Sequence, residues 1–399
     1  MIEGHNIICF SNDWDGDPLS KKHIMLRLAS KNRVLWVNSI GARNPTISAG
    51  DLRRILKKLR DIFQGCRRVS DNIYVLPPIV LPFHRNSLMR SINRKCLRWS
   101  LRMACRRLGF RNPITWTFVP SSALVAGALG EQLIVYHCVD EFSEFSGTDK
   151  AATLELERAL MEKSDAVIVS SSRLYDTKRR YNRNTFLVTH GVDVGHFRKA
   201  CNGQIPVPAD ISALRSPVIG FYGLIADWID FQLIRFLAKS RPDWSIALIG
   251  KVETNTDLSL LEGLPNVHLL GRKDYQQLPG YCKAFDAAIL PFVLNELTLA
   301  ANPLKLREYL AAGLPVVATA IPEAERLSGL VRIGRTFPHF LEQVQALLAE
   351  GKTGPQLAVS QAMETESWDE KVEQLSRIII GLKRTPPLPT AAKASEQAV

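Results

Sequence analysis

The 399-residue chain has no apolar run approaching the roughly 20 residues that span a bilayer. Its seven cysteines are odd in number, scattered, and never spaced C-x-x-C. That argues against a disulfide framework or a zinc site, and for a reducing compartment in which several thiols serve as small buried apolar residues. The start, Met1 to Asp13, has no basic leader, so the short apolar stretch Ile7–Phe10 reads as a first strand and not as a signal peptide. There is no internal repeat of 20–50 residues. Acidic residues are scarce in one place. Residues 51–111 hold 16 Lys/Arg and three Asp, a local balance of +13, whereas the whole chain is +12 and the remainder therefore sums to −1. The basic character is local and needs a local cause.

What is present is an ordinary globular composition, 46% hydrophobic and 23% charged, in a chain long enough for two or three domains. Short Val/Ile/Leu-rich runs alternate with helix-length segments. They recur through residues 6–189, and again from 218 to 333. Continuous apolar strands separated by helices imply parallel sheets covered on both faces. The stretch Arg198–Pro217, with Asn202-Gly203, Pro206, Pro208 and Pro217, reads as a linker. The expected fold class is α/β, with two doubly wound domains facing each other across a cleft. Residues 1–200 form the first, 217–365 the second. Ser367-Trp368-Asp369-Glu370 carries a capping-box spacing and opens a final helix over 366–383. The polar, Pro/Ala-rich 384–399 is expected to be a disordered tail.

The most informative segment is Asn302 to Val317, NPLKLREYLAAGLPVV. Pro303 suits a helix start and Gly313 the left-handed residue beyond its end. Lys305 and Glu308 share one face near the positive helix end. A lysine there can meet a phosphate, and a carboxylate one turn on can accept two ribose hydroxyls. The alternative is a capped surface helix with an intrahelical ion pair. In Gly220-Phe221-Tyr222-Gly223, followed by Asp227 and Asp230, the glycines lie between a strand and a helix, although not as G-x-G-x-x-G. They suit either close backbone approach to a phosphate or a plain turn, with Asp227 as a helix cap. Tyr136-His137-Cys138-Val139-Asp140 ends a first-half strand, where a carboxylate faces the expected cleft. Asp140 could take a proton from an acceptor hydroxyl, alone or with His137; otherwise Asp140 caps and His137 packs. His190-Gly191 marks a tight turn at the domain junction near the cleft mouth, read as a structural hinge, with ligand contact by His190 as the alternative. Asp13-Trp14-Asp15-Gly16-Asp17 reads as a polar cleft loop and not as a metal site.

In the basic stretch, Arg90, Arg94, Arg98, Arg102 and Arg106 recur every four residues, and Leu88, Ile92, Cys96, Trp99 and Met103 form an apolar seam on roughly the other side. An upstream cluster holds Arg53, Arg54, Lys57, Lys58 and Arg60. The seam is expected to pack on the sheet, with Arg90, Arg94, Arg98 and Arg102 turned towards an anionic membrane surface. No reading motif or aromatic interleaving supports nucleic acid.

Through about residues 5–383 the chain resembles GT-B glycosyltransferases of the family 4 type, as found in bacterial exopolysaccharide and teichuronic acid assembly. The strongest match is Pro303 to Thr319. The resemblance implies a nucleotide-sugar donor, most readily UDP-linked, with Lys305 on its diphosphate and Glu308 on its ribose. Gly223, Pro303 and Leu304 would complete the donor site. Family 4 has a Glu-x7-Glu pair, and here the first position is Ala300. Sugar contact would shift to Asn295, Glu296 or Thr298, and the stereochemical outcome stays open. Tyr136–Asp140 also resembles the catalytic-aspartate segment of an inverting GT-B enzyme of xanthan assembly. The expected protein is a cytoplasmic glycosyltransferase at the inner face of the plasma membrane. It would need no cofactor or metal and would act on a lipid-linked glycan acceptor. A GT-B epimerase or phosphorylase, or a non-catalytic scaffold of this fold, are the alternatives.

Overall fold

A computed structural model describes residues 1–39, 65–78, 87–203, 205–254 and 256–384, with the side chains of 87–90 and 383–384 left out. The upstream basic cluster at 53–60 and the expected tail beyond 384 lie outside the described residues.

The first unit is a sheet of β1 (Asn6–Phe10), β2 (Arg33–Val37), β3 (Arg67–Ser70), β4 (Ile73–Leu76), β5 (Ile114–Thr117), β6 (Leu133–Cys138), β7 (Ala166–Val169) and β8 (Thr185–Leu187). Its order is β3-β4-β2-β1-β5-β6-β7-β8, parallel except for the β3–β4 pair. The second is β9 (Val218–Tyr222), β10 (Ser245–Ile249), β11 (Val267–Gly271), β12 (Ala287–Leu290), β13 (Val316–Thr319) and β14 (Val331–Gly334), in the order β11-β10-β9-β12-β13-β14 and wholly parallel. Runs such as Ala166-Val-Ile-Val169 are buried at every position, as strands covered on both faces must be. The order in which strands are added reverses between β1 and β5 in one sheet and between β9 and β12 in the other, while the strands stay parallel. These switch points open a crevice at the strands' carboxyl ends. The loops after β1, β9 and β12 therefore border the candidate site.

The helices that matter for the site are α1 (Ser20–Leu28), α2 (Ser87–Leu108), α3 (Lys150–Lys163), α4 (Ser172–Lys178), α5 (Phe231–Ser240), α6 (Glu296–Ala300), α7 (Leu304–Ala311) and α8 (Trp368–Arg384). The side chain of Ser367 accepts from the Glu370 N–H at 3.3 Å, so α8 starts where its capping signal stands. Trp368, Val372, Leu375 and Ile379, spaced four, three and four, enter the core of the first sheet beside Ile24, Met25 and Leu28 of α1. The Met1 amine meets Glu373 at 2.8 Å, and Arg27 meets Asp369 at 3.0 Å. The last helix thus completes the core of the first unit, although it follows the second in sequence.

One expectation is corrected on α2. The seam of Ile92, Cys96, Trp99 and Met103 does not pack on the sheet. Trp99 is 63% exposed and Ile92 36%, with Cys96 and Met103 half-buried. Leu97, Leu101 and Ala104, with Asn93 and Ser100, are buried instead. Two apolar stripes are available on this helix, and burial of the aliphatic, small-residue one lets the helix approach the sheet closely. The aromatic stripe is left outside beside exposed Arg94, Arg98, Arg102 and Arg106.

Trp368 is 2% exposed, stacks on His23 at 5.4 Å, and leaves no room for a Cβ at Gly191, which would lie 2.9 Å from its Cα. Trp368→Ala is expected to cost about 3–5 kcal/mol, read as a lowered thermal midpoint with early release of α8 in hydrogen exchange. An unchanged midpoint would contradict this account of the helix.

Candidate functional site

The second unit's part of the site is built around α7. Pro303 is the residue just before the helix, so Leu304 and not Pro303 is its first member. Gly313 follows its end with φ +80, the left-handed conformation a glycine accepts without strain. Tyr309, fully buried, ties this helix to the end of β9. Its hydroxyl accepts from the Tyr222 N–H at 2.9 Å and donates to the Tyr222 carbonyl at 3.2 Å. That fixes Gly223, the next residue, against α7. A Cβ on Gly223, whose φ is +152, would lie 3.0 Å from Lys305 Cε. The lysine stem therefore runs over the glycine turn.

Glu308 is 8% exposed and accepts from the Tyr222 hydroxyl at 3.1 Å. Burial raises its pKa, opposed by Lys305 and by that hydrogen bond. Arg307 is buried too, bonded to Asn302 and paired with Glu366 at 3.2 Å. Lys305, half-buried in the first turn of α7, forms no hydrogen bond or ion pair among the described residues. The intrahelical Lys305–Glu308 pair considered from sequence is not formed.

The first unit supplies Asp140, two residues beyond β6. Beneath it, buried Lys178 of α4 donates to Glu141 at 2.8 Å and to Glu157 of α3 at 2.8 Å, and Glu157 also accepts from Tyr136 at 2.6 Å. This network clamps the backbone next to Asp140, whose own carboxylate has no partner among the described residues. Burial pushes Asp140 up to about 6, with Lys21 and Lys305 opposing. Asp140 thus lies within electrostatic reach of Lys305 on the facing unit. His137 is 2% exposed and stacks on Phe118 at 4.9 Å. Burial pushes it down to about 3, with Lys21 adding to the effect, so it is neutral near pH 7 and a poor base there.

The remaining sequence candidates are placed as follows. Asn295 and Thr298 cap α6 reciprocally, at 3.0 and 3.1 Å, and the Thr298 hydroxyl also donates to Val293 at 2.5 Å. Glu296 pairs with Arg173 of the first unit at 2.5 Å. Ala300 is buried among first-unit residues such as Ala123 and Leu174, and its carbonyl accepts from Ser171 at 2.6 Å. His190 is buried 6.0 Å from Trp368, and Gly191 abuts the same ring. Asp227 is bonded to Ser146 across the units, and Asp230 caps α5. Asp13 accepts from Ser39, Asp15 pairs with Arg67 and Asp17 with Arg272. Among the described residues no group of three His/Cys/Asp/Glu could hold a metal. Lys21 is the residue that sequence reasoning misses. In a Lys-Lys pair opening a helix it reads as a solvated charge, yet it is 9% exposed.

With Lys305, Glu308, Gly223 and Asp140 gathered at one crevice, likeness to known proteins gains a structural meaning. The solved structure of Anabaena HepE in complex with UDP and glucose superposes with a TM-score of 0.64, covering 94% of this chain and all of that one at 15% identity. A UDP-forming trehalose-phosphate synthase from Burkholderia xenovorans gives 0.65 at 12% identity, covering 96% of this chain and all of that one. The catalytic domain of starch synthase IV from Arabidopsis thaliana, bound to ADP and acarbose, gives 0.63 at 10% identity over 96% of this chain and all of that one. The fold is GT-B. Residues 216–350, within the second GT-B unit, match the family described as Glycosyl transferases group 1. The putative teichuronic acid biosynthesis glycosyltransferase of Bacillus subtilis is 30% identical over 226 residues, which is 53% of this chain and 56% of that protein. The chain thus matches little more than half the length of this curated relative.

The ionisation of Asp140 has a sign that can be checked. Its folded pKa of about 6 exceeds the ordinary 3.8. Between these values the folded chain keeps a proton the unfolded chain has released, so Asp140 lowers stability as pH rises through the window. Asp140→Asn is expected to raise the unfolding midpoint at pH 7, by the equivalent of on the order of 1–2 kcal/mol after solvent screening. The gain should vanish below about pH 4. A gain independent of pH in a thermal series would contradict the assignment.

Proposed function

We propose that this protein is a glycosyltransferase that moves a sugar from a nucleoside-diphosphate donor, UDP-linked, to a lipid-linked glycan at the cytoplasmic face of a membrane. The observation that carries the reading is the pair of opposite charges left without partners among the described residues in the crevice, Lys305 on α7 and Asp140 beyond β6. Lys305, lying over the Gly223 turn at the start of α7, offsets the negative charge that builds on the departing diphosphate. Glu308 has one oxygen bonded to Tyr222 and the other available to ribose hydroxyls. Asp140 accepts the acceptor's proton, and the closed crevice keeps water from the donor. The relatives, a teichuronic acid glycosyltransferase and proteins solved with UDP or ADP, agree with a nucleotide-sugar donor and a cell-surface polymer.

Lys305→Ala and Glu308→Gln are each expected to weaken UDP binding at least about tenfold, the equivalent of 1.4 kcal/mol, read by isothermal titration. Asp140→Asn should bind UDP as the wild type does and lose sugar transfer. Transfer that survives in Asp140→Asn would remove it as the base.

The membrane part rests on α2. No described helix is long and apolar enough to cross a membrane. The outward stripe of Ile92 and Trp99, flanked by Arg94, Lys95, Arg98 and Arg102, suits a helix lying in a lipid interface. Each cation near an anionic surface is worth about 1 kcal/mol. Changing Arg94, Arg98 and Arg102 together to Gln should abolish co-sedimentation with phosphatidylglycerol vesicles, and Trp99→Ser should weaken it. Unaltered sedimentation of both would contradict the docking face.

A further inference from the structure

Lys21 is a buried cation left over from the mechanism above. It stands in the first turn of α1 at the mouth of the β1–β5 switch point, 9% exposed. Its ammonium carries three donors, yet it forms no hydrogen bond and no ion pair among the described residues. What surrounds it is aromatic. Its Nζ lies 6.0 Å from the Phe118 ring centroid and 5.8 Å from that of Phe142, two residues past Asp140. Cation–π attraction of this kind is worth about 0.5–2 kcal/mol, well short of the several kcal/mol that desolvating an ammonium costs. Asp140 acts on it electrostatically without bonding to it. The same Phe118 ring stacks on His137, whose Nδ1 is buried and also has no partner among the described residues. Two polar groups without partners therefore flank one aromatic ring beside Asp140.

A neutral hexose would offer this spot only hydroxyls. An anionic substituent would satisfy the ammonium with charge-assisted bonds of the strong class, and His137, neutral at pH 7, could donate to the same anion through Nδ1. Lys305 and Glu308 are already assigned to the diphosphate and the ribose, and Asp140 to the reacting hydroxyl. The flanking aromatic faces suit the apolar face of a pyranose.

We propose that Lys21, assisted by His137, binds a carboxylate carried by the saccharide in the crevice, so that the protein selects acid sugars over neutral ones. This rests on the donor-site reading of Lys305 and Glu308. The carboxylate belongs either to the donor's sugar or to the acceptor glycan, and two titrations separate these sources. In one, UDP-glucuronate is compared with UDP-glucose. In the other, glucuronate is compared with glucose in the presence of saturating UDP. The wild type is expected to prefer the acid sugar at least about tenfold in one of the two. Lys21→Met should abolish that preference while leaving UDP affinity unchanged, and Lys21→Arg should restore part of it. The unaltered UDP affinity serves as the control that Lys21→Met is folded. UDP binding without acid-sugar preference in either titration overturns this inference and leaves the donor reading standing. A preference that survives Lys21→Met overturns it as well. Failure of the wild type to bind UDP removes the donor reading and this inference with it.

Discussion

The Tyr309 hydroxyl, held between the N–H and the carbonyl of Tyr222, is the contact on which the second half of the site depends. It joins a helix to the end of a central strand at one point, and both elements carry groups of the candidate site there. From β9 come Gly223 and the Tyr222 hydroxyl that orients Glu308. From α7 come Lys305 and Glu308 themselves. A helix displaced by one residue would turn Lys305 away from the glycine turn, because neighbouring helix positions lie about 100° apart. Arg307 performs the corresponding task on the other side, tying α7 to Asn302 and to Glu366 just before α8.

The charges fall into two groups with different fates. Glu157, Lys178 and Arg307 are buried and bonded, Glu141 is half-buried and bonded, and they hold backbone in place. Lys305, Asp140 and Lys21 converge on the crevice without bonds to one another. Unsatisfied charge at that depth is costly, so its concentration at the strands' carboxyl ends marks where a polar ligand restores the balance. The covering contacts point the same way. Ser171 to Ala300, Asn302 to Ser170 and Arg173 to Glu296 hold the two units together beside the site. They also give Ala300 a physical setting. Its place is filled by first-unit apolar side chains, where a carboxylate would be buried without a partner.

Much of this was legible in the chain. The alternation of apolar strands and helices placed both sheets, because a strand buried on two faces has no polar side to hide its pattern. Pro303 and Gly313 bounded α7 to within a residue, and the Ser367 signal opened α8, because helix ends are set by local backbone chemistry. What was not legible is relative position. On α2 the sequence offers two apolar stripes, and only the sheet's shape decides that Leu97, Leu101 and Ala104 go in while Trp99 stays out. Lys21 sits beside Lys22 and looks like it, yet one is buried between aromatic rings and the other reaches the Trp14 carbonyl at 3.0 Å. Thr298 reads as a polar cleft residue, whereas its hydroxyl is engaged within its own cap. For α2 and Lys21 the deciding neighbours are distant in sequence, whereas Thr298 is held by Asn295 and Val293 of its own cap.

The central claim is that α7 and the Gly223 turn hold a nucleoside diphosphate. A crystal structure of the full chain with UDP tests it most directly. The account predicts phosphate oxygens within about 3 Å of Lys305 Nζ and ribose hydroxyls at a similar distance from Glu308, with the diphosphate facing Asp140 across the crevice. A nucleotide seated elsewhere, with Lys305 directed to solvent, would contradict it.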